Sequence, residues 1–194
     1  MTTSVAIRRT TPAPILLVAA WLAIAVALGA AGAFNPTPPA PPLALGIVAG
    51  APPLVALALI AGSRRFRSWA QGLDLRLLTQ LQMWRIAGFV LLVLGVSGTL
   101  PKPFALSAGI GDVLVALSAP LIATFVVGTR RRWIFVAWTI FGIADLLNAV
   151  ALGTLTSTSD AMSTLPLSVI PTFGVPFALV LHLLTLTQLR RWSN

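Results

Sequence analysis

Cysteine, glutamate and tyrosine are missing from this 194-residue chain, and lysine and histidine occur once each, at Lys102 and His182. Without cysteine there is no disulfide, no thiolate metal site and no thiol redox chemistry. A single histidine excludes bis-imidazole haem ligation and a histidine-rich zinc or di-iron centre. The single lysine sits between two prolines in a short break, so it cannot carry a retinal-type Schiff base at mid-membrane depth. No H-E-x-x-H, G-x-S-x-G or P-loop string occurs. Nothing in the composition names a cofactor.

Charge is the scarcest property. Charged residues make up 9% of the chain, hydrophobic ones 57%, and the mean hydropathy is +0.95. Soluble domains carry roughly 25% charged residues. The fold class expected is therefore all-α: a polytopic integral membrane protein, one transmembrane domain over 1–194, with the lipid bilayer as its main partner. A net charge of +9 would suggest nucleic acid for a soluble protein. Here the arginines have a simpler place at a membrane surface, and no nucleic-acid partner is expected.

Apolar runs near the 20 residues a helix needs to cross a bilayer fall at about 15–34, 43–62, 84–100, 104–127, 133–153 and 166–188. Prolines punctuate them at Asn35–Pro42 and at Pro101-Lys102-Pro103, and a Ser/Thr-rich loop follows Thr154. Residues 64–82 place Phe66, Trp69, Leu73 and Leu77 opposite Gln71, Asp74 and Arg76, which predicts an interfacial helix. Asp74 and Asp160 read as solvated loop residues.

Eleven arginines (Arg8, Arg9, Arg64, Arg65, Arg67, Arg76, Arg130, Arg131, Arg132, Arg190 and Arg191) flank the ends of these runs on one side, and Lys102 lies on the other. The positive-inside rule then predicts six spans in the cell membrane with both termini cytoplasmic. All six tryptophans are expected near that inner interface. The first run has the flanks of a signal peptide but exceeds the usual 7 to 15 apolar residues, so a retained anchor is favoured.

Within these apolar runs stand two aspartates. They occupy similar strings, Gly109-Ile-Gly-Asp112-Val-Leu-Val-Ala-Leu117 and Gly142-Ile-Ala-Asp145-Leu-Leu-Asn-Ala-Val150, identical at five of nine positions. A charge at that depth costs roughly 2.5–3.5 kcal/mol on insertion scales, which makes each a functional-site candidate. At ~1.5 Å per residue, both fall ~12 Å below the outer surface on antiparallel helices. Asn148 lies three residues beyond Asp145, on the same face. Glycines and alanines before each aspartate would allow close helix approach.

The same arithmetic places Arg85 at the inner end of the third run and His182 ~6 Å from the inner surface. Two layers are expected: an acidic one holding Asp112, Asp145 and Asn148, and a separate basic one of Arg85 and His182, crowded by Gln80, Gln82 and Gln188. Pro52-Pro53, Pro120, Pro171 and Pro176 are expected to interrupt their helices and free carbonyls near the site.

The leading expectation is binding or transport of a small polar or cationic solute, or of protons. In that reading Asp112 and Asp145 are the binding carboxylates, Asn148 a selector, and His182 with Arg85 an inner gate or relay. Two other functions stay open: a membrane-embedded enzyme acting on a lipid or isoprenoid-like substrate, with Arg85 holding an anionic headgroup, and a non-catalytic subunit of a larger complex. Homodimerisation would ease the difficulty that the chain is small for a carrier.

Overall fold

The computed structural model describes residues 13–35, 43–156, 158–189 and 192. Arg8, Arg9, Arg190, Arg191 and most of the first proline-rich break lie outside the described residues. Among the described residues the fold is all-α, with six helices long and apolar enough to cross a membrane. These are α1 (Ala13–Ala30), α2 (Leu43–Gly62), α4 (Leu75–Val96), α5 (Lys102–Phe125), α6 (Arg132–Leu155) and α8 (Ile170–Gln188). Two short helices, α3 (Arg64–Ala70) and α7 (Ser159–Met162), connect them.

The third long helix begins nine residues before the expected 84, and the cause is local. Asp74 is exposed just ahead of the helix and also caps it: its carboxylate accepts from the backbone N–H of Arg76 at 2.8 Å and of Leu77 at 3.3 Å. The interfacial helix expected over 64–82 is accordingly two pieces. One is α3, capped by the Ser63 hydroxyl, which accepts from Phe66 N at 3.2 Å. The other is the first turns of α4. Removing the second cap with Asp74→Ala should cost about 1 kcal/mol. Thermal unfolding followed by tryptophan emission should show it as a fall of about 2–4 °C in Tm.

Most of the prolines leave their helices continuous. Helix α2 runs through Pro52-Pro53 and α5 through Pro120. Only α8 changes form, opening with a π-helical turn at Ile170–Gly174 that includes Pro171.

Packing is reversed relative to a soluble bundle. The buried face of α5 is made of small residues, among them Ala105, Ala108, Gly111, Ala116 and Ala119, while Leu114, Leu117, Leu121 and Phe125 point outward. In a bilayer, lipid tails solvate large apolar side chains, and close backbone approach drives association. The helix α5 packs against α4 and α6, and α8 packs against α2, α4 and α6; α1 meets the π turn of α8, Phe177 beyond it and, at Gly29, Leu165 and Ser168.

Three of the tryptophans make contacts within the bundle. Trp138 is buried and donates to Ser118 Oγ at 2.9 Å, Trp21 donates to the Thr172 carbonyl at 3.2 Å, and the Trp84 ring lies over Gly174.

Candidate functional site

The middle of α4 is a 3-10 helix, Leu81–Gly88. With three residues per turn, positions three apart eclipse one another. Gln82, Arg85 and Gly88 therefore share one face, and that face is the buried one. Because α4 starts at Leu75, Arg85 lies ten residues inside it, and not at its end as the sequence suggested.

The guanidinium joins three helices. Arg85 Nε donates to Asp112 Oδ1 of α5 at 2.6 Å. Its Nη2 donates to Asp145 Oδ2 of α6, and Nη1 reaches the Gly142 carbonyl at 3.5 Å. Arg85 is 1% exposed. The side chains of Asp112 and Asp145 are 18% and 7% exposed. The two expected layers are thus one: the arginine belongs with the aspartates. With both carboxyls ionised, one guanidinium faces two carboxylates, and the cluster keeps a single negative charge.

Three glycines make these approaches feasible. A Cβ on Gly88 would come within 2.6 Å of Asp112 Oδ2, and one on Gly111 would overlap the Asp145 carboxylate. One on Gly142 would overlap the His182 ring and stand 3.4 Å from Arg85 Nη1. The small residues of the two similar strings therefore seat polar side chains as well as neighbouring helices.

His182 enters from α8, fully buried against Gly142, with its ring edge-on to Trp138 at 5.5 Å between centroids. Neither ring nitrogen has a hydrogen-bond partner among the described residues. Gln82 donates to the Ala178 carbonyl at 3.1 Å but leaves its own Oε1 unpaired, and Thr139 Oγ1 is also unpaired. Thr79, Thr185 and Gln188 are buried too. Thr79, Gln82 and Arg85 on α4, and His182, Thr185 and Gln188 on α8, each recur every three residues. Together they form a buried polar seam from the cluster to the arginine-bearing end of the bundle.

Asn148 does not join the cluster. Its amide nitrogen donates to Ser107 Oγ at 2.7 Å, linking α6 to α5 at an exposed position. The guanidinium bridges the two carboxylates, each of which keeps one oxygen that Arg85 does not engage. Among the described residues no group of three metal-ligating side chains occurs.

On the side away from the seam, Asp112 borders a cavity of about 170 Å³ whose other walls are mostly aliphatic, among them Leu91, Ala108, Leu146 and Ile170.

Sequence reasoning missed Arg85 as partner of both aspartates, Gly88 as the seat of Asp112, and Thr139. The signal for the first was present: a basic residue in an apolar helix, opposite two acids lacking any other cation at their depth. Gln80 and Gln82 hid it, because their polarity moved the apparent start of the helix to Met83-Trp84.

No curated protein and no solved structure matches the chain. One family model does, over residues 42–190, a stretch that takes in α2 to α8 and every residue of the cluster. The chain belongs to the family described as the domain of unknown function DUF8737.

Proposed function

We propose that this protein binds a proton or a small cation at the Arg85–Asp112–Asp145 cluster and carries it across the cell membrane, with both termini cytoplasmic. The observation that supports this most is the charge balance of the buried cluster: one guanidinium for two carboxylates. Such a site is neutral when it holds one further positive charge and charged when it releases it. Buried ionisable groups at membrane depth mark ion and proton pathways for this reason.

Orientation rests on the arginines. Arg67 donates to the Ile60 and Ala61 carbonyls, both at 2.8 Å, and Arg76 to the Val127 carbonyl at 3.3 Å. These contacts tie Arg67 to the end of α2 and Arg76 to the turn after α5, and the positive-inside rule puts these basic ends in the cytoplasm. The seam of Thr79, Gln82, His182, Thr185 and Gln188 then offers a polar route from that basic end to the cluster, with His182 as the relay and Arg85 as the fixed counter-ion.

The test is proton flux in liposomes carrying the purified protein and the pH-sensitive dye pyranine, driven by a potassium diffusion potential. The protein should speed acidification over empty liposomes. Asp112→Asn and Asp145→Asn should each lower the rate at least about tenfold, as expected for groups that carry the proton themselves. Asp160→Asn, at an exposed position of the short helix α7 and not in the loop expected from the sequence, should leave it unchanged. If the aspartate variants run at the parent rate, the transport reading fails.

The apolar cavity beside Asp112 supports a second reading, an embedded enzyme acting on a lipid or isoprenoid-like substrate with the aspartates as acid and base. Arg85 argues against it. Engaged with both carboxylates, it leaves no cation at the site for an anionic headgroup.

A further inference from the structure

The geometry points to a ligand class for the cavity: an ammonium ion carrying a compact apolar body, its charge on Asp112 and its body between α2, α5 and α6. This rests on the reading of the cluster as a cation site and says what the cation carries.

Asp112 is the one ionisable side chain on the cavity wall. Its Oδ1 is taken by Arg85, whereas Oδ2 accepts no hydrogen bond from any described residue. The threonine hydroxyls on the wall are already used: Thr154 donates to the Ala151 carbonyl at 2.8 Å and Thr158 to that of Gly153 at 2.7 Å. A guest would therefore meet one carboxylate oxygen on a wall that is otherwise uncharged and mostly aliphatic. Pockets of this make-up hold the apolar part of a ligand by burial and orient it by a single polar contact.

Charge and size narrow the guest further. With both carboxyls ionised the cluster carries one negative charge in excess, which repels an anionic head and is left uncompensated by a neutral one. An apolar cavity of about 150 Å³ is known to accept benzene, so this one has room for a ring or a short branched chain. A hydrated inorganic cation could approach Asp112 but would leave the aliphatic walls without an occupant. A long acyl chain would fill them without meeting the charge.

Benzylammonium combines head and body in the required proportions, and benzyl alcohol is its neutral counterpart. Calorimetric titration of the purified protein should show saturable binding of benzylammonium. Its affinity should exceed that of benzyl alcohol, and of tetramethylammonium, which has a head without a body, by at least about tenfold, the scale of one charge-assisted hydrogen bond. Asp112→Asn should erase the preference for the charged guest. Ala149→Leu and, separately, Ala49→Leu should fill the cavity from α6 and from α2 and weaken binding at least about tenfold. Thermal unfolding of the two cavity variants, followed by tryptophan emission, confirms that they are folded.

Equal affinity for benzylammonium and benzyl alcohol would overturn the inference and make the cavity a lipid-tail site. Undiminished binding in both cavity-filling variants would overturn it by placing the guest elsewhere. Flux without benzylammonium binding would sink this inference alone. Binding without flux in the parent would sink the transport reading alone.

Discussion

Arg85→Met should be the most damaging single substitution in the chain. It deletes the cation that bridges Asp112 and Asp145 and leaves two carboxylates facing each other with no other described cation in contact. Methionine approximates the length of the arginine stem, so packing is nearly kept and the loss is electrostatic. Removing one partner of a buried ion pair costs about 3–5 kcal/mol, mainly because the remaining charge is stranded. Against a total stability of about 5–15 kcal/mol that is a large fraction. In detergent the Tm should fall by at least about 10 °C, or the variant should aggregate on extraction. Arg85→Lys should land between parent and methionine. Its ammonium is a point charge and cannot reach two carboxylates on different helices as the planar guanidinium does. A methionine variant as stable as the parent would mean that the three charges do not depend on one another.

Gly111→Ala should come next, although it adds only a methyl group. Gly111 is buried on α5 where the Asp145 carboxylate of α6 lies directly over its Cα, so the new Cβ and that carboxylate claim the same space. Overpacking in a core usually costs about 1–3 kcal/mol. Here relief requires either separating α5 from α6 or rotating Asp145 away from Arg85, which breaks an ion pair as well. A total near the upper end of that range is expected, together with loss of flux. Asp145→Asn introduced on top of Gly111→Ala should then cost little more, because the carboxylate has already left its partner. Thermal unfolding of the two single variants and the double variant checks this. Full additivity would show that the methyl group acts through packing alone.

The legible part of this molecule was its set of long apolar helices. Six apolar runs became six long helices, since twenty or so apolar residues leave the backbone few alternatives. The two aspartates were legible because charge is so scarce that each stands out. What escaped was register. Hydropathy places a helix by the average of its residues, and Gln80 and Gln82 pulled that average down, although Gln82 is buried and bonded to the Ala178 carbonyl. The Asp74 cap that starts α4 was read as a loop residue. The 3-10 turns that bring Gln82, Arg85 and Gly88 onto one face leave no mark in composition. Depth arithmetic therefore set Arg85 a layer away from its partners. Asn148 failed differently: it does share a helix with Asp145, but Ser107 on α5 captures its amide.

The glycines tell a related story. Their presence before each aspartate promised close helix contact, and close contact is there. Only the assembled bundle shows that each close approach seats a particular polar group: Asp112 over Gly88, Asp145 over Gly111, His182 over Gly142. A pattern of small residues does not say which side chain will occupy the space it leaves.

That Arg85, Asp112 and Asp145 act as one unit is most directly tested by a thermal-unfolding cycle in one detergent. It compares the parent, Arg85→Met, the pair Asp112→Asn with Asp145→Asn, and all three substitutions together. Exchanging a complete buried ion cluster for neutral groups is often nearly neutral, whereas breaking it is not. The triple variant should therefore be more stable than Arg85→Met alone by more than about 2 kcal/mol, the size of a strong coupling between contacting residues. If the penalties simply add, and the triple variant is the least stable of the four, the three charges do not form a single site.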